Sequence, residues 1–311
     1  MTSHASARRR PARLLPRLLL GLALVLGAAS CGGRGGSAAP LRVGFMICNS
    51  IDETRARFAP LAAHLEEQLG RRVVPVWLDT ADFEEAVRKN SFDLIHTNSF
   101  LYVWFRESYG YRIMAGESRG KHGAYSAGTI ITRKESGIAR LADLKGKRFV
   151  FGPAFAPTAY LTPCWLLHEA GIDPDRDLAY YAFPSGAYKH EKAIYAVVNG
   201  AYDAGIGPAL DLEIMEQEGK LAPGDYTVLA EGPLVPYCVF SAPPSLPAED
   251  FAKVQKALFA LTPASTAAVG GEVLKVLKSA AVDGFVPLEE KEFESVRGMA
   301  RTCNMPPFAK Y

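Results

Sequence analysis

From Leu41 onward the chain alternates short apolar runs with longer amphipathic stretches, and this alternation constrains the fold more than any other feature. LRVGFMI at residues 41–47 reads as a strand, and ETRARFAPLAAHLEEQLG as an amphipathic helix ended by Gly70, with Pro60 tolerable only as a kink or near the start. RRVVPVWL is a second strand, DFEEAVRKN a helix and FDLIHT a third strand, so two β-α-β units are complete by residue 97. GTIITR opens a second alternating series. The short helical IARLADLKG, the strand KRFVFG, the helix PCWLLHEAG, the strand LAYYAFP, the helix EKAIYAVVNG, the strand YDAGIG and the helix PALDLEIMEQEGK follow in turn. Around YTVLAEGPLVPYCVFS the chain is expected to return to the first unit, with FAKVQKALFALT, GGEVLKVLKSA and EKEFESVRGMA as late helices. The economical architecture is α/β in two lobes: 41–130 as lobe 1, 131–235 as lobe 2, and 236–311 as the return to lobe 1 with C-terminal helices. Ligands of such sheets sit beyond strand C-termini and at helix N-termini, which places the chemistry in the cleft between the lobes.

What precedes Leu41 is not part of that pattern. Residues 1–30 carry Arg8, Arg9, Arg10, Arg13 and Arg17, an apolar run from Leu18 to Ala29, and then Ser30 before Cys31, the layout of an export signal. The run is too short for a spanning helix, which needs about 20 residues. A plain secretory signal and a bacterial lipoprotein signal both fit. The second, which it resembles, makes Cys31 the lipidated first residue and tethers the protein to a membrane through the glycine-rich stretch 31–40. The full chain has 35 Lys plus Arg against 33 Asp plus Glu; removing those five arginines leaves 30 basic side chains against 33 acidic ones. A body near −3 has no bulk electrostatic claim on nucleic acid. Besides Cys31 there are Cys48, Cys164, Cys238 and Cys303, in no CxxC arrangement. Outside the cytoplasm they can form disulfides, and the three complete pairings are not separable by sequence; small buried hydrophobes are an equal reading.

The ordered pieces LRVGFMI, ARFAPLAAHLEEQLG, FDLIHTNSFLY, ITRKESGIARLADLKGKRFVFG, YLTPCWLLHEAGIDPDRD and AVVNGAYDAG resemble the phosphate/phosphite/phosphonate solute-binding family of ABC importers over about residues 41–245. The resemblance implies a two-lobed periplasmic-binding-protein type II fold with a hinge and an interlobe ligand cleft. It also implies a monomeric clamp on the periplasmic or cell-surface side that captures a small oxyanion and passes it to a permease. No cofactor and no metal are expected.

Departures from that family bear on the ligand. Where its members commonly carry a Ser-Thr-Ser-Gly-Tyr run that grips phosphoryl oxygens, this chain reads Ala156-Pro157-Thr158-Ala159-Tyr160, which removes two hydroxyls and an amide donor. Thr158 remains as an anion contact or as a simple helix cap, and Tyr160 as a site residue or a core-facing ring. His190 falls where the family has an anion-contacting histidine, and reads otherwise as a surface residue beside Lys189 and Lys192. Tyr102 matches a family tyrosine at the mouth of the first lobe, with core packing as its alternative. The stretch Gly205-Ile206-Gly207-Pro208-Ala209 holds no carboxylate before Asp211, which disfavours an aminoalkyl phosphonate, since its ammonium would be left unpaired. Asp203 ends or orients the preceding strand. Cys48, just after the first strand, would suit a soft ligand such as trivalent arsenic, or a disulfide, or a buried filler position.

Three function classes follow. The leading one is a lipid-anchored solute-binding protein for phosphonate, phosphite or phosphate, using Cys48, Tyr102, Thr158, Tyr160 and His190. The second is a sensor that uses the same clamp on an oxyanion such as arsenite and docks a membrane kinase. An enzyme with Cys48 and His190 as nucleophile and base is the third, and no local motif supplies its oxyanion hole or its orienting acid.

Overall fold

In the computed structural model, which describes residues 39–222 and 224–310, the first apolar run lies inside a sheet rather than at its edge. β1 (Leu41–Met46) pairs in parallel with β2 (Val73–Leu78) on one side and with β3 (Leu94–Asn98) on the other. Helix α1 (Ile51–Leu69) makes the crossover between the first two. Ser50 caps it by accepting from the Glu53 amide at 3.2 Å, Asp52 and Glu53 suit the positive end of its dipole, and Gly70 closes it at φ 57°. Pro60 sits inside α1, where it removes one backbone bond while the helix runs on.

α2 (Phe83–Arg88) leads into β3, α3 (Ser99–Tyr109) follows it directly, and β4 (Arg112–Ser118) returns along the sheet. Residues 119–124 then carry the chain to a second sheet, begun by β5 (Tyr125–Arg133). β6 (Arg148–Val150), α4 (Thr162–Glu169), α5 (Pro174–Asp177), β7 (Tyr180–Ala182), α6 (Lys189–Val198), β8 (Ala204–Ile206), α7 (Ala209–Gln217) and β9 (Tyr226–Pro236) build this lobe. Its strand order is β7-β6-β8-β5-β9. Tyr237 crosses back, and β10 (Cys238–Ala242) inserts antiparallel between β3 and β4.

α8 (Ala248–Phe259), β11 (Thr266–Val269), β12 (Glu272–Lys275), α9 (Val276–Ala280), β13 (Gly284–Val286) and α10 (Glu294–Thr302) complete the chain. The first sheet thus reads β13-β4-β10-β3-β1-β2. GGEVLKVLKSA is not the helix its periodicity predicts. Gly270 and Gly271 take φ of 61° and 88° and form a two-residue hairpin turn, so Glu272–Lys275 pairs with β11 and only Val276–Ala280 is helical. The export signal and Cys31 lie outside the described residues.

Each lobe has its own apolar core. Phe45, Phe58, Leu61, Val254 and Phe240 fill the first between β1, α1 and α8. Phe149, Phe151, Leu167, Ile194 and Ile206 fill the second, and Phe293, Val296 and Met299 from the α10 region join it together with Phe100 and Tyr102 of α3. Asp203 orients β6 against β8: it accepts from the Arg148 amide at 2.8 Å and from its guanidinium at 3.0 Å. Gly205 faces Val150 on the neighbouring strand so closely that an added Cβ would lie 2.5 Å from a Val150 methyl and 2.7 Å from its carbonyl oxygen. Gly205→Ala is expected to destabilise the protein by about 1–3 kcal/mol through overpacking. A fall in the urea midpoint with unchanged slope would show it, and an unchanged midpoint would refute it.

Candidate functional site

β1 and β3 end at Met46 and Asn98, and just beyond their C-termini lies a cleft of about 420 Å³ that both lobes line. The lobes touch around it. Asn98 Nδ2 donates to the Phe155 carbonyl at 2.9 Å, the Tyr188 amide donates to the Asn49 carbonyl at 3.1 Å, and Lys189 Nζ pairs with Asp79 Oδ2 at 3.3 Å.

The floor of the cleft belongs to lobe 1 and the crossing strand. Cys48 stands two residues past β1, Cys238 opens β10 immediately after the crossing at Tyr237, and the two residues pack in one cluster and line the same cleft, with Cys48 Sγ directed to the Met46 carbonyl at 3.9 Å. The neighbouring Cys238 thiol, helped by the charge of Arg57 and opposed by burial, brings the Cys48 thiol down to about 6. The Cys48 thiol beside it, with burial, pushes the Cys238 thiol up. Arg57, on the inner face of α1, donates from Nε and Nη2 to the Ala280 carbonyl at 3.0 and 2.8 Å. Arg119 lines the cleft from the first crossing segment.

Beneath the thiols, His96 and Glu117 are buried and share a hydrogen bond of 2.9 Å among Phe45, Phe58 and Phe240. Burial raises the Glu117 carboxyl, and His96 and Arg57 outweigh it, so its net direction is downward. The His96, Glu117 and Cys238 donor atoms lie within 4.8 Å of one another, the one metal-like grouping among the described residues. His96 Nε2 and Glu117 Oε1 are already engaged with each other, so the grouping reads as a hydrogen-bonded support for the cleft floor.

Lobe 2 supplies the other wall. Thr158 is buried, at 2% exposure, in a wide helical turn, Pro157–Leu161, that runs into α4. The Tyr160 and Leu161 amides donate to the Ala156 carbonyl at 3.1 Å, which leaves the Thr158 and Ala159 amides as the first-turn donors without a partner inside their own helix. His190, in the first turn of α6, holds Asp211 of α7 through Nδ1 at 3.1 Å. Burial pushes His190 down, but the Asp211 carboxylate outweighs it and the net shift is upward. Glu191 and Glu218 pair with Lys220, and Glu53 accepts from Asn49 Nδ2 at 2.9 Å. Arg57 and Arg119 are therefore the lining cations that pair with no carboxylate among the described residues.

Of the residues singled out in the sequence, Cys48, Thr158 and His190 come together on the cleft, and two do not. Tyr102 is fully buried against Phe293 at 4.6 Å and donates to Glu290 Oε2 at 2.5 Å, because α3 turns that face toward α10. Tyr160 packs on Phe151 and Phe183 beside Cys164, inside the aromatic side of lobe 2. Arg57, Arg119, Asn98, Asp211 and Cys238 carry no local motif. Arg57 looks like any charge on an amphipathic helix, and Arg119 like any turn residue.

Residues 43–293 match the family of periplasmic substrate-binding proteins of phosphonate ABC transporters. The chain belongs to this family. Its members are substrate-binding proteins, which implies an extracytoplasmic place, and no helix among the described residues is long and apolar enough to cross a membrane. The fold is the type II periplasmic-binding-protein fold. PhnD1 from Prochlorococcus marinus, solved with methylphosphonate, has a TM-score of 0.71 at 18% identity, over 85% of this chain and 98% of that one. A binding-protein component of an ABC phosphonate transporter from Pseudomonas aeruginosa has 0.69 at 18% identity, over 85% of this chain and 86% of that one. Among curated proteins, the tetrathionate sensor histidine kinase TtrS of Salmonella typhimurium is 29% identical over 226 residues, which is 70% of this chain and 37% of that protein. The chain therefore spans little more than a third of the length of that relative.

The His190–Asp211 pair predicts a pH dependence. A histidine raised in the folded state adds stability in full below its unfolded value, about 6.5, and loses it as pH rises through the folded value. The melting-temperature advantage of the protein over His190→Gln should shrink as pH rises from about 6 to about 9. An advantage constant over that range would refute the pairing.

Proposed function

We propose that this chain is an extracytoplasmic receptor for a small oxyanion, lipid-anchored through Cys31 and acting as a monomer that delivers its ligand to an ABC permease. The observation that carries the reading is the pair Arg57 and Arg119, two cations without carboxylate partners lining a cleft shared by both lobes. Closing the lobes over an anion would exclude water and strengthen those contacts. Thr158, the amides of its helical turn and His190 would complete the grip from lobe 2. The reaction is binding and release, with no bond made by the transport step itself.

Of the altered run Ala156-Pro157-Thr158-Ala159-Tyr160, Ala156, Pro157 and Thr158 line the cleft, and Thr158 carries the one hydroxyl among these three. This supports a ligand gripped mainly by arginine rather than by a ring of hydroxyls. A phosphonate, phosphite or phosphate remains the first class to try. A second reading has its own support: the likeness to the tetrathionate sensor kinase extends over 226 residues, and two thiols stand on the cleft floor. In that reading the clamp reports a sulfur oxyanion, or arsenite, to a membrane kinase.

Calorimetric titration and melting curves with methylphosphonate, phosphite, phosphate, sulfate, thiosulfate and arsenite test both readings, since a ligand of the folded state raises the melting temperature by linkage. Arg119→Ala is expected to weaken the bound anion by about 1.5–3 kcal/mol, the range for a hydrogen bond to a charged group, without lowering the melting temperature of the unliganded protein. Thr158→Ala should weaken it by about 1 kcal/mol. Unchanged affinity in both variants would sink the site assignment.

A further inference from the structure

Anion binding does not require two thiols packed together at the floor of the cleft. Cys48 and Cys238 come from segments far apart in sequence, and both line the space that Arg57 and Arg119 line. Cys48 is partly exposed to the cleft while Cys238 is 3% exposed beneath it. We propose that Cys48 and Cys238 form a thiol–disulfide exchange site for a sulfur oxyanion that contains a sulfur–sulfur bond, with Arg57 and Arg119 holding its sulfonate ends. The proposal deepens the receptor reading and rests on the cleft being the anion site.

Tetrathionate is a suitable probe of that class. Cys48, as thiolate, attacks one of its two central sulfurs; the bond between the central sulfurs breaks, and one thiosulfate leaves with the electron pair. Cys48 then carries the remaining sulfur and its sulfonate as a mixed adduct. Cys238 gives up its proton to solvent and attacks the Cys48 sulfur, a second thiosulfate leaves, and a Cys48–Cys238 disulfide remains. Two thiols are oxidised, and the tetrathionate is reduced to two thiosulfates. The order of attack follows from exposure, and the lowered Cys48 thiol, close to a thiolate at neutral pH, supports it. The arginines stabilise the charge that builds on the leaving thiosulfate.

The fold supplies its own control. Cys164 and Cys303 also share one apolar cluster, yet both are buried where α4 meets the end of α10, outside the cleft lining, and the Cys164 thiol and burial push the Cys303 thiol up. Each pair shares one cluster, but only Cys48 and Cys238 line the cleft.

The purified, reduced chain mixed with sodium tetrathionate should release two thiosulfates per molecule. Peptide mapping should then join Cys48 to Cys238 and leave Cys164 and Cys303 open to alkylation after unfolding. Cys238→Ser should stop at the Cys48 adduct with one thiosulfate released, and Cys48→Ser should react roughly tenfold more slowly or worse. An uncharged disulfide such as hydroxyethyl disulfide should react more slowly than tetrathionate, and Arg119→Ala should narrow that difference. Equal rates toward both reagents, equal reaction of both cysteine pairs, or undiminished release by Cys48→Ser would each overturn the proposal. Failure of the receptor reading looks different: the double variant Cys48→Ser/Cys238→Ser, left with no exchange chemistry, would then show no rise in melting temperature with thiosulfate or any other anion.

Discussion

The return of the chain at Tyr237 is the constraint on which the rest of the structure depends. The Tyr237 amide donates to the Ala124 carbonyl at 2.8 Å, tying the two crossing segments together, and its carbonyl accepts from the Ser99 amide at 3.0 Å at the start of α3. With those two bonds fixed, β10 has one place to go, between β3 and β4, where both its edges are satisfied. Its insertion makes lobe 1 discontinuous in sequence. It also brings Cys238 beside Cys48, sets Glu117 and His96 on the same face, and puts Arg119 at the cleft end of the other crossing segment. The floor of the cleft is thus a product of the hinge, and a change in the crossing would be felt at the thiols and at the arginine together.

The cleft wall from lobe 2 is shaped by close backbone approach. A Cβ on Gly128 would lie 2.5 Å from the Thr158 carbonyl oxygen, and one on Gly152 would lie 2.5 Å from the Ala159 Cβ. The segment that replaces the hydroxyl-rich run of related proteins is therefore pressed onto the sheet by two glycines, and Pro157 removes one more amide from its first turn. What such a wall can offer an anion is the Thr158 hydroxyl and the free amides, both immobile. An immobile wall loses little conformational entropy when a ligand arrives, which compensates in part for the donors it lacks.

Much of the fold was legible because the alternation of strands and helices is carried by local patterns: apolar runs, glycine stops and cap residues that agree with one another. The illegible part has a common cause. α3 and β4 are not anticipated between FDLIHT and GTIITR, since the unbroken apolar run Phe100–Phe105, buried at all but Trp104, shows no helical period within itself. The site was less legible than the fold. Thr158, His190 and Cys48 could be singled out because each stands at a turn or a helix start, where functional donors gather. Tyr102 has the right residue type at a similar place, but α3 rotates it toward Glu290, and no local signal encodes that rotation. Arg57, Arg119 and Cys238 come to line the cleft only through the crossing topology, which joins positions 48, 57, 119 and 238 without leaving any mark on their neighbours in sequence.

The C-terminal helix limits how the lobes can part. α10 packs on α3 of lobe 1 and on α4 of lobe 2, and its Arg297, with a side chain 6% exposed, is held by Glu107 at 2.7 Å, by Glu294 at 3.0 Å and by Glu290, the same residue that accepts from Tyr102. Parting α10 from α3 would break the Arg297–Glu107 bond and expose apolar surface of Phe293, Val296 and Met299, a cost of several kcal/mol. The contacts around the cleft are of another kind: an ion pair from Lys189 to Asp79 with partial exposure on both sides, and single hydrogen bonds at Asn98 and Tyr188. Each of these contributes about 1 kcal/mol or less once water competes for the same groups. The contacts that join the lobes at the cleft are therefore weaker than those at α10, and the polar edge is the side on which the two lobes are held least firmly.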